Sequence, residues 1–175
     1  MSAHRLLGLV VAFMATATVV GCGGGSSTGQ PGSATRSAAG HDAFLRQVDA
    51  VCQQAVRAHA GHPFPVLGFD PEHPDPAKLP AVGDYFARYG GLPTTVQGLH
   101  RLTPPVDEAA AWRALLVVAD QMSANAQRQV TAARARDTAT FVQTVKATTA
   151  LVTHLNSAGS NFGFTSNSPC SQVFG

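Results

Sequence analysis

From Asp42 onward, apolar residues recur at gaps of three and four along almost the whole chain, and this spacing limits the possible folds more than any other feature. Positions so spaced fall on one face of a helix, whereas a half-buried strand would need strict alternation. The longest stripe is Trp112, Leu115, Ala119, Met122, Ala126, Val130 and Ala133. An earlier one comprises Phe44, Val48, Val51, Ala55 and Ala58; Asp42 suits its N-cap, and Gly61 and Pro63 mark its end. Between these two lie Val82, Tyr85 or Phe86, Tyr89, Leu92, Val96, Leu99 and Leu102. The last stripe is Phe141, Val145, Thr148, Val152, Leu155 and Phe162, with Gly163 as its stop. No strand-period run competes.

The punctuation between stripes sets the expected topology. Thr103 suits a cap, Pro104 a first helical turn, and Asp107 and Glu108 the positive end of the third helix dipole. Arg134 and Arg136 sit near its negative end, and Asp137 then caps the fourth helix. Short turns at these points predict an all-α fold, an antiparallel up-down-up-down four-helix bundle. In the second helix, "YGGLP" (89–93) interrupts the pattern, and interior glycine and proline cost about 1 and 3 kcal/mol. The apolar register nevertheless continues from Tyr89 to Leu92 to Val96, which predicts one kinked helix rather than two. At 1.5 Å per residue the third helix spans roughly 43 Å and the first, from Asp42 to His59, roughly 27 Å. The Pro-rich loop between helices 1 and 2, with Phe64, Val66, Leu67 and Phe69, is therefore expected to cap the uncovered end.

Ahead of the bundle, residues 6–21 carry no charge, yet the run is short of the ~20 apolar residues a membrane span needs and suits a cleaved secretory signal. From Gly23 to Gly40 the chain has almost no apolar bulk, so its ordering entropy goes uncompensated. The expected organisation is a signal peptide over 1–21, a flexible Gly/Ser-rich tether over 22–41 spanning on the order of 25 Å, and one helical domain over 42–175. With 12 basic and 10 acidic residues scattered along the chain, there is no basic stripe for a nucleic acid to follow.

Export meets an oxidising compartment, where Cys52 and Cys170 are most simply a disulfide tying the C-terminal tail to helix 1. The alternative is two buried free thiols. The tail has the reach: Gly163 to Cys170 can extend about 26 Å, against roughly 15 Å from the start of helix 1 to Cys52.

Val19-Val20-Gly21-Cys22 resembles the lipobox of bacterial lipoprotein precursors. The resemblance implies that Cys22 becomes the first residue and carries diacylglycerol, with palmitate-type acyl chains as a lipid anchor at the outer face of the cytoplasmic membrane. An ordinary secretory signal is the plainer alternative. The layout of "FLRQVDAVCQQA", "LHRLTPPVDEAA", "ARDTATFV" and "FGFTSNSPC" is similar to small, poorly characterised helical-bundle lipoproteins of high-GC Gram-positive (actinobacterial) cell envelopes. Those share a cysteine in the first helix, a Leu-x-x-Leu-x-Pro-Pro turn and a late glycine followed by a cysteine, here Cys52, Leu99, Leu102, Pro104, Pro105, Gly163 and Cys170. The resemblance implies a fold and a location and supplies no activity.

Motifs for acyl transfer, zinc proteolysis, phosphate cradling, thiol redox work or haem attachment are absent from the sequence. Glu72 and Glu108 lack the histidine three residues on that a bundle di-metal site uses. The expectation is a protein that is not an enzyme and uses no cofactor. One cluster suits a metal chemically: His59, His62, Asp70, Glu72, His73 and Asp75. Its plain reading is a solvated loop rich in proline. His100 and His154 flank the seams and read as surface or half-buried residues. Ala119, Ala126 and Ala133 admit either close helix packing or a cavity, and Trp112, Tyr85 and Tyr89 either core or pocket lining. These readings leave two functions: a membrane-anchored binding or structural protein with an envelope protein partner, or a carrier or sensor of a small apolar ligand held in the bundle interior, with the loop from Gly61 to Pro80 as its lid.

Overall fold

The computed structural model describes residues 32–174, with side chains from 39 onward. The expected signal peptide, Cys22 and the first part of the expected tether lie outside the described residues. The described part is all-helical: α1 (Gly32–His59), α2 (Leu79–Tyr89), α3 (Leu92–His100), a 3-10 turn (Val106–Glu108), α4 (Ala109–Arg134), α5 (Thr138–Phe162) and α6 (Pro169–Phe174).

Three boundaries differ from expectation, each for a local reason. α1 begins at Gly32, so Asp42 is an interior, exposed residue and caps nothing, and part of the predicted tether is helical. The kinked second helix is two helices. Gly91 takes φ 61°, a left-handed conformation that halts the ladder, and Pro93 starts α3 within its first turn, where its missing N–H costs no hydrogen bond. Thr103 caps nothing either: the chain enters α4 through the 3-10 turn, with Pro105 before it in an extended conformation.

The stops at α4 and α5 share one geometry. At α5, the amide of Gly163 donates to Ser160 O and that of Phe164 to Gly159 O, with Gly163 at φ 104°. At α4, Arg136 donates to Ala133 O and Asp137 to Ala132 O, with Arg136 itself at φ 58°. Both are Schellman endings, which use up carbonyls that a helix end leaves free. Asp137 then accepts from Thr140 N at 3.0 Å as the N-cap of α5, as its sequence position predicts. A turn of three residues thus folds α5 back on α4.

α4 is the hub, packing against α5, α2 and α3, while α1 packs on α3 and α6. Two glycines permit the close approaches. A Cβ on Gly83 of α2 would stand 3.0 Å from Ala133 Cβ and 3.1 Å from Val130 O on α4, and one on Gly98 of α3 only 2.7 Å from Val51 Cγ1 on α1.

The apolar stripes feed two core clusters. The larger joins Phe44, Val48 and Cys52 with Val96, Leu99, Trp112, Leu115, Ala119, Met122, Leu155, Phe162, Cys170 and Phe174. Phe44 and Trp112 meet edge to face at 4.9 Å, and Phe162 lies 5.4 Å from the indole. The smaller joins Leu79, Val82, Ala132, Ala133 and Phe141, and is roofed by Phe64, Val66 and Phe69 of the Pro-rich loop. The loop therefore covers this end as expected, except that Leu67 points to solvent at 94% exposure. Ala58, counted in the first stripe, is exposed too.

The disulfide forms as predicted. Cys52 and Cys170 are bonded with Cα atoms 5.0 Å apart, and both are buried. The tail does more than turn back: it makes α6, whose Phe174 is a core residue.

Candidate functional site

Along α4, the large cluster ends at Met122 and the small one begins at Ala132. Between them lies a cleft of about 1040 Å³. Met122, Ala126 and Val130 line it from α4, Thr148 and Val152 from α5, Ala55 and Val56 from α1, Phe86 from α2, Leu92 and Pro93 from α3, and Val173 and Phe174 from α6. Its volume is just above the range of about 300–1,000 Å³ for small-molecule sites, and its lining mixes these apolar side chains with polar ones, among them Gln127, Gln129 and Thr131 of α4 and Gln172 of α6.

The alanine seam thus divides. Ala119 and Ala133 are fully buried and let helices approach, while Ala126 is half-buried and lines the cleft. Of the aromatics weighed as pocket or core, Trp112 is core and Tyr85 is buried beside the Pro-rich loop. Phe86, the alternative to Tyr85 in its stripe, is on the cleft wall, as is Phe174 of α6, and is 36% exposed.

The rim where α1, α2 and α3 meet is polar. The Tyr85 hydroxyl donates to His62 O at 2.8 Å and stands 3.1 Å from His59 Nε2. His59 Nδ1 lies 3.2 Å from Tyr89 O. Both ring nitrogens of His59 are thus engaged by α2, at Tyr85 and Tyr89. The His62 ring stacks on Tyr89 at 3.9 Å. Arg88 lies over the same tyrosine, 6.0 Å from its centroid.

The histidine and carboxylate cluster weighed for a metal separates into two groups. His59 and His62 are engaged by Tyr85 and Tyr89, as above. Asp70 is exposed in the loop, where it accepts from the amide of Glu72 at 2.8 Å and meets His73 Nδ1 at 3.1 Å. The Glu72 amide first, and then His73, hold its carboxyl below the ordinary carboxylate range. Asp75 accepts from the amide of Ala77 at 2.9 Å. Among the described residues no three such side chains converge on a metal position. His100 pairs with Asp120 at 2.8 Å on the surface, and His154 is exposed.

Asn125 was not singled out by the spacing, although it sits three residues after Met122 on the same face. It is 1% exposed, and its Nδ2 donates to Thr144 O at 2.8 Å and Thr148 Oγ1 at 2.9 Å. Arg128 donates to its Oδ1 at 3.3 Å. This network ties α4 to α5 beside the cleft, and a buried amide so satisfied fixes the register of the two helices.

No described helix is long and apolar enough to cross a membrane. Comparison with protein-family models, with curated proteins and with solved structures finds no match to this chain.

Proposed function

We propose that the protein is a membrane-anchored lipoprotein of the cell envelope, exported and held through Cys22 at the outer face of the membrane, whose helical domain works by binding rather than by catalysis. The cleft is its binding site, and a small apolar molecule is its ligand. The observation that carries this reading is the cleft itself: six helices border about 1040 Å³, with Met122, Ala126 and Val130 of α4 and Val152 of α5 supplying apolar surface. In the same reading the helices form an antiparallel up-down-up-down bundle, with α2 and α3 sharing the second position and α6 packed against both α1 and α5.

Native mass spectrometry of the protein, exported in a related host and purified without denaturant, tests the proposal. The expected spectrum shows a discrete adduct that is released on unfolding and lost in Ala126→Trp, which fills the cleft. An unliganded chain that also fails to take up added apolar molecules would sink the ligand reading and leave an envelope protein as the partner.

A further inference from the structure

The cleft has a charge bias that its apolar lining hides. Its titratable lining residues are His59 and Arg88, and no aspartate or glutamate lines it. Both stand at the rim formed by the ends of α1 and α2, whereas the lining residues of α4 and α5 carry no charge: Met122, Ala126, Val130 and Val152, together with Gln127, Gln129, Thr131 and Thr148. The site is therefore basic at one end and uncharged along the rest, where Met122, Ala126, Val130 and Val152 supply apolar surface.

Three further observations concern that rim. Arg88 is exposed and lies over the Tyr89 ring, and among the described residues no hydrogen bond occupies its guanidinium donors. α3 begins there without a side-chain cap, and Gly91, Leu92 and Thr94 at its start line the cleft. The amide of Thr95 is already bonded to Gly91 O, but those of Leu92 and Thr94 precede the first intrahelical bond. The C-termini of α1 and α2 bring carbonyls to the same place, and several of these are occupied: Val56 O by Ala60 N, Phe86 O by Gly90 N, and Tyr89 O by His59. The Arg88 guanidinium and the amides of Leu92 and Thr94 are the donors that remain there to meet a ligand head.

We infer that the cleft takes a single-chain amphiphile with an anionic head, the head at Arg88 and the start of α3, the chain along Ala126, Val130 and Val152. This rests on the proposed binding role of the cleft and adds the ligand's charge. A carboxylate or a phosphate head meets the same donors, since both accept charge-assisted hydrogen bonds from a guanidinium.

The test compares four probes that share one oleoyl-type chain: oleate, an oleoyl lysophosphatidylglycerol, oleyl alcohol and oleylamine. Each is titrated into the exported protein carrying Cys22→Ser, which removes any acyl chains of its own. The expected order has oleate or the lysophospholipid at least about tenfold tighter than the alcohol, the gain a charge-assisted hydrogen bond supplies, with the amine weakest. Whichever anion binds tighter identifies the head as carboxylate or phosphate. Arg88→Gln, an exposed change, is expected to remove that gain, so that within this variant the anions bind no tighter than the alcohol. An alcohol bound as tightly as both anions, or an Arg88→Gln protein that keeps the preference, would overturn the inference while leaving the cleft a binding site. If no probe binds, the proposed function fails as well.

Discussion

Arg136 and Asp137 carry the α4–α5 turn between them. Arg136 holds a left-handed backbone at φ 58° without being glycine, at a cost of roughly 1–2 kcal/mol for an L residue. Arg136→Gly is expected to raise stability by about 0.5–1 kcal/mol in chemical denaturation, the relief of that strain less the greater chain entropy of glycine. Asp137 follows as both end of one motif and cap of the next helix. Its carboxyl is held below the ordinary value of 3.8, first by its side-chain hydrogen bond with Thr140. A carboxyl with a lowered folded pKa stabilises the fold above its unfolded pKa, and that contribution disappears as pH falls through the folded value. Melting temperature should thus fall from pH 5 towards pH 2 by less in Asp137→Asn than in the parent; an equal fall in both would mean the cap does not titrate with folding.

The elements were legible where one stripe meets one partner, and obscure where a third body intervenes. Phe44, Val48, Leu115, Ala119 and Phe141 are buried as their spacing requires. Spacing also continues across Gly90 and Gly91, since it records which face is apolar and not whether the backbone is continuous. The break was decided by the positive φ of Gly91, which no stripe reveals. The cleft was half legible for a related reason. Ala126 and Val130 fit the pattern of the core yet line the cleft, and spacing does not show how fully the facing helices cover a stripe. α6 escaped notice because six residues are too few to show a period.

The α1–α3 contact gives a direct check at this scale. Gly98→Ala places a methyl 2.7 Å from Val51 Cγ1, and valine has little rotamer freedom in a helix with which to move aside. The expected loss is about 1–3 kcal/mol, as for other overpacked contacts. Val51→Ala should recover part of it in the double variant; additive losses would show that the two residues do not share the strain.

On the scale of the whole molecule, the disulfide closes a separation of 118 residues, and α6 follows from it. Replacing Cys52 and Cys170 with alanine is expected to cost about 2–5 kcal/mol in denaturant unfolding. It should also weaken cleft binding at temperatures where the protein is still folded, since Val173 and Phe174 of α6 form one wall. Unchanged affinity in the reduced-contact variant would show that α6 stays seated through its apolar contacts alone.

The two core clusters are bridged by α4 and α5, which contribute residues to both, and the space between them is the cleft. A molecule built this way has a weak storey between two strong ones. Amide hydrogen exchange should resolve it as two protected bands on α4, around Trp112–Met122 and around Ala132–Ala133, separated by a faster stretch near Ala126, because local opening follows local packing. Saturating ligand should slow that stretch until one band remains. Occupancy would then be written into the mechanics of a single helix, and a partner gripping either end of α4 would sense through its stiffness whether the middle is filled.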